Sequence, residues 1–320
     1  SDLPRFIIEG LILSMIIILS AIFLSSKETS NSTSIVSSLG AFLYGSQRLL
    51  PLAQTTYRSL STIRSSTFSV KDILSYVQLK NISNNNSYKK INFFKNITLK
   101  SVVFKYPKSR KKVLKDCNLE INKGELVCIL GSSGSGKSTL MDILMGLIEP
   151  SEGNLYVDDI KVESTNIISW QAKLAHVPQE ILLIDDTIKR NIAFGIPDGE
   201  INSEKIAYAL KMSSLNSVIK KLKDGLNTKV GERGSLLSGG QKQRIGIARA
   251  IYQSKEILFL DEATSALDKK TEGEILKNLT KNKTNAITVI MITHRPRDEI
   301  KYDKIIEIKN NTIKNNFLDT

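Results

Sequence analysis

The pattern Gly131-Ser132-Ser133-Gly134-Ser135-Gly136-Lys137-Ser138-Thr139 constrains this chain more than any other feature. It follows Leu126-Val-Cys-Ile-Leu130, a short apolar run that reads as a buried strand. It leads into Thr139-Leu-Met-Asp-Ile-Leu-Met145, which has helical character. A strand, a glycine loop and a helix in that order are what a phosphate-binding loop requires, and they put the chain in the α/β P-loop NTPase class. Glycines let backbone N–H groups turn inward onto phosphate oxygens, and the helix N-terminus adds partial positive charge. Lys137 is expected to reach the β- and γ-phosphates, and Ser138 to hold Mg²⁺.

A second apolar strand, Ile257-Leu-Phe-Leu260, ends in the acidic pair Asp261-Glu262. An Asp at that strand end can position Mg²⁺, and Glu262 is placed to polarise an attacking water as general base. Such a pair standing alone is as readily solvated charge. Beside a phosphate loop the catalytic reading is the expected one.

Twenty residues before that strand lies Leu237-Ser238-Gly239-Gly240-Gln241, followed by Lys242-Gln243-Arg244. With this run the chain resembles the ATP-binding cassette (ABC) ATPases. Other elements of that family stand in the family's order. Val177-Pro178-Gln179 resembles the Q-loop, Ser265-Ala266-Leu267-Asp268 the D-loop, and His294 the switch histidine. Val103-Phe-Lys-Tyr106-Pro107 resembles the aromatic A-loop. The likeness runs from about Ile97 to Ile308. It implies a RecA-like core, an antiparallel β subdomain and an α-helical subdomain over residues 96–318.

The resemblance also implies roles. Tyr106 offers a flat face to adenine, although a strand tyrosine is the plainer alternative. Gln179 reaches Mg²⁺ or the lytic water through its amide. His294 contacts the γ-phosphate, whereas His176 lacks that placement and reads as structural. Catalysis thus falls to Glu262, His294, Gln179 and Lys137. The metal falls to Ser138, Gln179 and Asp261. Nucleotide contacts fall to Tyr106, to the loop from Gly131 to Thr139, and to Ser238, Gly239, Gly240 and Gln241. In this family the signature serves the nucleotide held by the opposite subunit, at a helix N-terminus that favours anions. ATP then joins two cassettes. Thr228-Lys-Val-Gly231-Glu-Arg-Gly234 resembles a loop of exporter-type cassettes. Pro296-Arg-Asp-Glu299 departs from the family's usual residues after the switch histidine, and Pro296 removes a backbone donor there.

The 320 residues leave room for a smaller region beside a cassette of about two hundred. Phe6–Leu24 is nearly all apolar, and at about 1.5 Å per residue it matches a hydrocarbon core about 30 Å thick. Glu9 costs roughly 3 kcal/mol on the insertion scale; thirteen Leu, Ile and Phe residues each return about 0.5, so insertion wins. No small-residue cleavage site follows, which argues against a signal peptide. The stretch 35–53 is weaker, because it holds Arg48 and Pro51, and it needs partner helices or headgroups. Arg5, Arg58 and Arg64 place both ends of this hairpin in the cytoplasm. Residues 1–78 then form a partial transmembrane domain with a cytoplasmic helical extension, and residues 79–95 a polar linker.

Exporter-type half-transporters carry six such helices, so the chain is expected to be the C-terminal portion of a longer protein. The runs from Leu3 to Glu9 and from Gly40 to Pro51 are similar to those of bacterial lipid-linked oligosaccharide flippases. The implied function is ATP-driven export or lipid flipping at the plasma (inner) membrane. The implied partners are a second half-transporter, the lipid bilayer and a lipid or amphipathic cargo. A multidrug or peptide exporter is the alternative within transport, and a soluble ABC ATPase of DNA repair or translation the alternative outside it. The net charge of +13 invites a nucleic-acid reading, but the lysines are scattered and no nucleic-acid-binding motif is present. A solvated surface and an anionic inner leaflet both account for the excess. Cys117 and Cys128 have no metal spacing and read as reduced core residues.

Overall fold

In the computed structural model the described residues are 10, 14–18, 21–22, 32–77, 89–280, 287–293, 296 and 299–316. The chain divides into two units, Ser1–Asn85 and Asn86–Thr320.

In the first unit the main element is one helix, α1, Ser32–Val77. The expected second span and its expected extension are a single uninterrupted helix, and Pro51 lies inside it. At about 1.5 Å per residue α1 has ample length to cross a bilayer. What it lacks is apolarity: no helix among the described residues is both long and apolar enough to cross a membrane. Arg48 and the Ser/Thr-rich turns explain the deficit; Thr55, Thr56, Thr62 and Thr67 each turn their hydroxyls back onto the carbonyl four residues earlier. The expected first span lies mostly outside the described residues. Its described members, Gly10, residues 14–18 and residues 21–22, are helical.

The second unit is built on apolar strands. β3 (Leu126–Gly131), β7 (Ile257–Asp261) and β8 (Thr288–Ile292) are almost continuously buried, as parallel strands covered on both faces must be. With β6 (Leu174–Val177), β9 (Lys304–Lys309) and β10 (Thr312–Asn316) they form a six-stranded sheet ordered β10-β9-β3-β8-β7-β6. All its pairings are parallel except β9 with β10. A four-stranded antiparallel sheet, ordered β2-β1-β4-β5, is made from β1 (Asn96–Phe104), β2 (Leu114–Asn122), β4 (Glu152–Val157) and β5 (Ile160–Lys161).

Alternation along the central strands sends residues to two cores. Val127 and Ile129 join Phe259, Ile290 and Ile306 on one face, with the antiparallel sheet, helix α2 (Lys137–Leu144) and Trp170. Leu126 and Cys128 join Leu258, Leu260 and Met291 on the other. That second core is closed by helices α3 (Ser203–Met212), α4 (Gly239–Tyr252) and α5 (Lys269–Thr280). Trp170 is fully buried and donates its indole N–H to the Leu144 carbonyl at 3.0 Å, which ties the end of α2 into the first core. Both cysteines are free and buried. Burial pushes the Cys128 thiol up to about 12, with the Glu272 charge adding to the effect, so it stays a protonated core residue.

Candidate functional site: a phosphate loop and a separate signature turn

Parallel α/β sheets place ligands beyond the carboxyl ends of their strands. β3 and β7 deliver the two chemically loaded segments to that edge. After β3 the chain turns through the glycine loop into α2. Gly136 caps α2 at φ 106, and a Cβ there would stand 3.1 Å from the Val113 carbonyl and from Leu114 Cδ2. A Cβ on Gly131 would meet Ser135 Oγ at 2.5 Å and the Ile308 carbonyl at 2.9 Å. Both positions therefore admit only glycine without displacing backbone.

Lys137 is buried, and its ammonium donates to the Gly131 and Ser132 carbonyls at 2.9 and 3.0 Å. The cation is thus folded into the mouth of its own loop. Ser132, Ser133, Gly134 and Ser138 are exposed. Ser135 Oγ is buried without a hydrogen-bond partner. A buried hydroxyl with no acceptor, a cation inside the loop and the two Cβ-free approaches together fit a polyphosphate. The phenol of Tyr106 hydrogen-bonds Thr139 Oγ1 at 3.0 Å, and its ring packs edge-on against Phe104. The ring is 46% exposed, so the A-loop aromatic stands over the start of α2 with a face open to solvent.

At the end of β7, Asp261 and Glu262 diverge in environment. Burial raises the Asp261 pKa; His176 and Lys137 oppose the shift and Glu262 adds to it. Asp142, on α2, is raised by burial too, with Asp261 contributing. His176, which the sequence alone presented as structural, lies within electrostatic range of both carboxylates. Its own enclosure outweighs their pull and lowers its pKa. Glu262 adopts φ +50, a left-handed conformation that a non-glycine residue takes at some cost. Its N–H is held by the Ile292 carbonyl at 3.2 Å, and its carboxylate accepts from Gln179 Nε2 at 3.0 Å. Two residues that lie 83 positions apart in the chain are thereby placed side by side.

An Asp with a raised folded-state pKa favours the proton, so it aids folding at low pH and opposes it as pH rises through that pKa. Asp261→Asn is accordingly expected to raise the melting temperature of the nucleotide-free protein at pH 7, while abolishing Mg²⁺-dependent turnover. Calorimetry beside an ATPase assay checks both halves. Among the described residues no three His, Cys, Asp or Glu side chains converge as a metal cage. Mg²⁺ held largely through nucleotide phosphates and one carboxylate needs none, so Ser138, Asp261 and Gln179 suit it.

The signature turn is a separate construction. Ser238 caps α4 in a full capping box: its N–H donates to Gln241 Oε1 at 2.8 Å, and Gln241 N–H donates to Ser238 Oγ at 3.3 Å. Ser238 and Gly239 are exposed. Gly240 packs so tightly on the D-loop that a Cβ would lie 2.9 Å from the Ala266 carbonyl. Gln243, to which the sequence pattern assigned no role, supplies the other half of that contact. It is buried, donating to Ser265 Oγ at 3.0 Å and accepting from Ala266 N–H at 2.9 Å. Asp268 then caps α5 through the Thr271 N–H at 3.0 Å. Among the described residues no hydrogen bond joins the signature turn to the glycine loop. His294 lies outside the described residues.

The fold and this edge of the sheet define a P-loop nucleotide-binding domain of the ATPase class. The family model for ABC transporters matches residues 114–265. Residues 114–265 are thus an ATP-binding domain of the ABC transporter family. The chain is 42% identical over 246 residues to the multidrug resistance-like ATP-binding protein MdlA of Buchnera aphidicola, covering 75% of this chain and 42% of that protein. It is 40% identical over 219 residues to the ATP-dependent lipid A-core flippase of Wigglesworthia glossinidia brevipalpis, covering 68% of this chain and 37% of that one. A bacterial Atm1-family ABC exporter solved with ATP bound is similar at a TM-score of 0.70 and 29% identity, over 97% of this chain and 53% of that chain. The chain thus spans about half the length, or less, of these relatives.

Proposed function

We propose that this chain is the motor end of an ATP-driven export or lipid-flipping transporter, working as a dimer in the plasma (inner) membrane with its cassette in the cytoplasm. One observation carries the reading. The signature turn packs on the D-loop of its own chain, its Ser238 and Gly239 are exposed, and among the described residues no hydrogen bond joins it to its own phosphate loop. A second chain is the natural source of the phosphate it caps.

In this reading the exposed N–H groups of the glycine loop and Lys137 bind the β- and γ-phosphates, and Tyr106 stacks on adenine. Mg²⁺, when bound, neutralises charge on the phosphate oxygens. Glu262 takes a proton from the attacking water, and Gln179, already hydrogen-bonded to it, orients that water. His294 and the partner's signature turn stabilise the γ-phosphate. Two cassettes close on two nucleotides and reopen after hydrolysis.

Membrane attachment is supported by the run Phe6–Leu24 and by side chains such as Ile17, Leu49, Ile63 and Phe68, all more than half exposed within the first unit. Large apolar side chains exposed along one helix favour cover by lipid or further helices. Relatives named as a multidrug resistance-like protein and as a lipid A-core flippase support an amphipathic or lipid cargo. Carbonate extraction of membranes carrying the chain tests attachment; the soluble-ATPase reading predicts release into the supernatant. Turnover rising faster than linearly with protein concentration, with vanadate trapping a dimer, is the expected kinetic result. Strictly linear turnover with no trapped dimer would sink the two-chain site.

A further inference from the structure

Lys105, Lys108, Arg110, Lys111, Lys112 and Lys115 put six cations into eleven residues with no acid among them. Five of them occupy the β1–β2 connection and Lys115 is the second residue of β2; all six are exposed. The connection is a hairpin loop, closed where Val113 N–H meets the Phe104 carbonyl at 2.8 Å. Inside it Tyr106-Pro107-Lys108-Ser109 forms a turn, with Ser109 N–H on the Tyr106 carbonyl at 3.0 Å and Lys108 at φ 65. Proline second and a left-handed residue third make this a type II turn, a stiff mount for a charged tip.

The base of the loop is fastened to the nucleotide edge at three points. Tyr106 hydroxyl bonds Thr139. The Val113 carbonyl stands where a Cβ on Gly136 would touch it. Asn311 Nδ2 donates to that same carbonyl at 2.9 Å. No ion pair among the described residues uses any of the six cations; the ion pairs lie elsewhere, at Glu256, Glu163, Arg190 and Lys304. The edge below is acidic, with Asp142, Asp261 and Glu262 near the loop mouth. Lys137 is buried and turned onto its own carbonyls, whereas the six cations are exposed.

Resting on the nucleotide reading above, we infer that the Lys105–Lys115 loop is an electrostatic collar that captures Mg-nucleotide and steers it to the glycine loop. Its substrate class is a nucleoside polyphosphate, and its action is on the association rate. Clustered like charge beside a site raises on-rates by about 10- to 1,000-fold, and salt removes the effect. At 1 M ionic strength the Debye length falls to about 3 Å, too short for loop cations to act on a ligand still in solution.

The test is stopped-flow binding of a fluorescent Mg-ATP analogue to the full chain in detergent. In one variant Lys108, Arg110, Lys111 and Lys112 are all changed to Gln. In a control, Lys211, Lys220, Lys221 and Lys223 are changed to Gln, which removes the same charge from the exposed surface around α3. At low salt the loop variant is expected to bind about tenfold more slowly than wild type, and the control close to wild type. The dissociation rate and the turnover at saturating ATP stay unchanged, and the loop variant converges on wild type at 1 M salt. An equal loss in both variants would show that only net charge matters and would overturn the collar. So would a wild-type rate in the loop variant. A wild-type chain that binds no nucleotide at any salt would instead overturn the site itself.

Discussion

Glu262→Gln protein is expected to bind ATP as wild type does, accumulate as a nucleotide-bound dimer and hydrolyse about 100- to 10,000-fold more slowly, the usual loss on removing a general base. The physical ground is the carboxylate's position. Glu262 sits one residue beyond β7, held at φ +50 by its N–H bond to Ile292 and by the Gln179 amide. That strained conformation points to a placed functional group. Gln is close to isosteric and keeps a partner for Gln179, so binding and fold persist while the proton acceptor is lost. ATPase rate beside size-exclusion chromatography in ATP reads both halves. A variant that kept wild-type turnover would remove Glu262 from the role of base.

Gly240→Ala is expected to leave nucleotide binding by the single chain intact and to cut turnover by about 100-fold, the scale of losing one donor to a transition-state oxyanion. The added methyl would stand 2.9 Å from the Ala266 carbonyl and 3.4 Å from Leu267 Cδ2. It must push α4 off the D-loop and strain the bonds that Gln243 makes to Ser265 and Ala266. In the proposed dimer both elements face the second chain, and among the described residues neither is hydrogen-bonded to the glycine loop. Unchanged Kd for ATP with lost turnover and lost ATP-dependent dimer is the expected pattern. Loss of ATP binding instead would mean that the signature turn serves its own phosphate loop.

Within the cassette, what could be read in advance was what local chemistry decides. A glycine loop between an apolar run and a helix has few other uses, and Gly136 at φ 106 shows why glycine is demanded there. Buried parallel strands announce themselves as unbroken apolar runs, as β7 and β8 do. The first unit was harder to read. A helix whose apolarity is diluted by Arg48 and a Ser/Thr-rich tail carries no signal of where a bilayer would end, and α1 runs through that point unbroken.

Residue types and their order along the chain determined the class of this protein, its phosphate loop and the acid pair at a strand end, because each depends on groups within about one strand–loop–helix unit. Only the tertiary structure decided which distant groups meet: Gln179 with Glu262, Tyr106 with Thr139, Gln243 with the D-loop, and the lysine-rich hairpin with the rim of the nucleotide edge. Those pairings are set by strand order and by two cores packing on opposite faces of one sheet, and no local pattern in the chain encodes them.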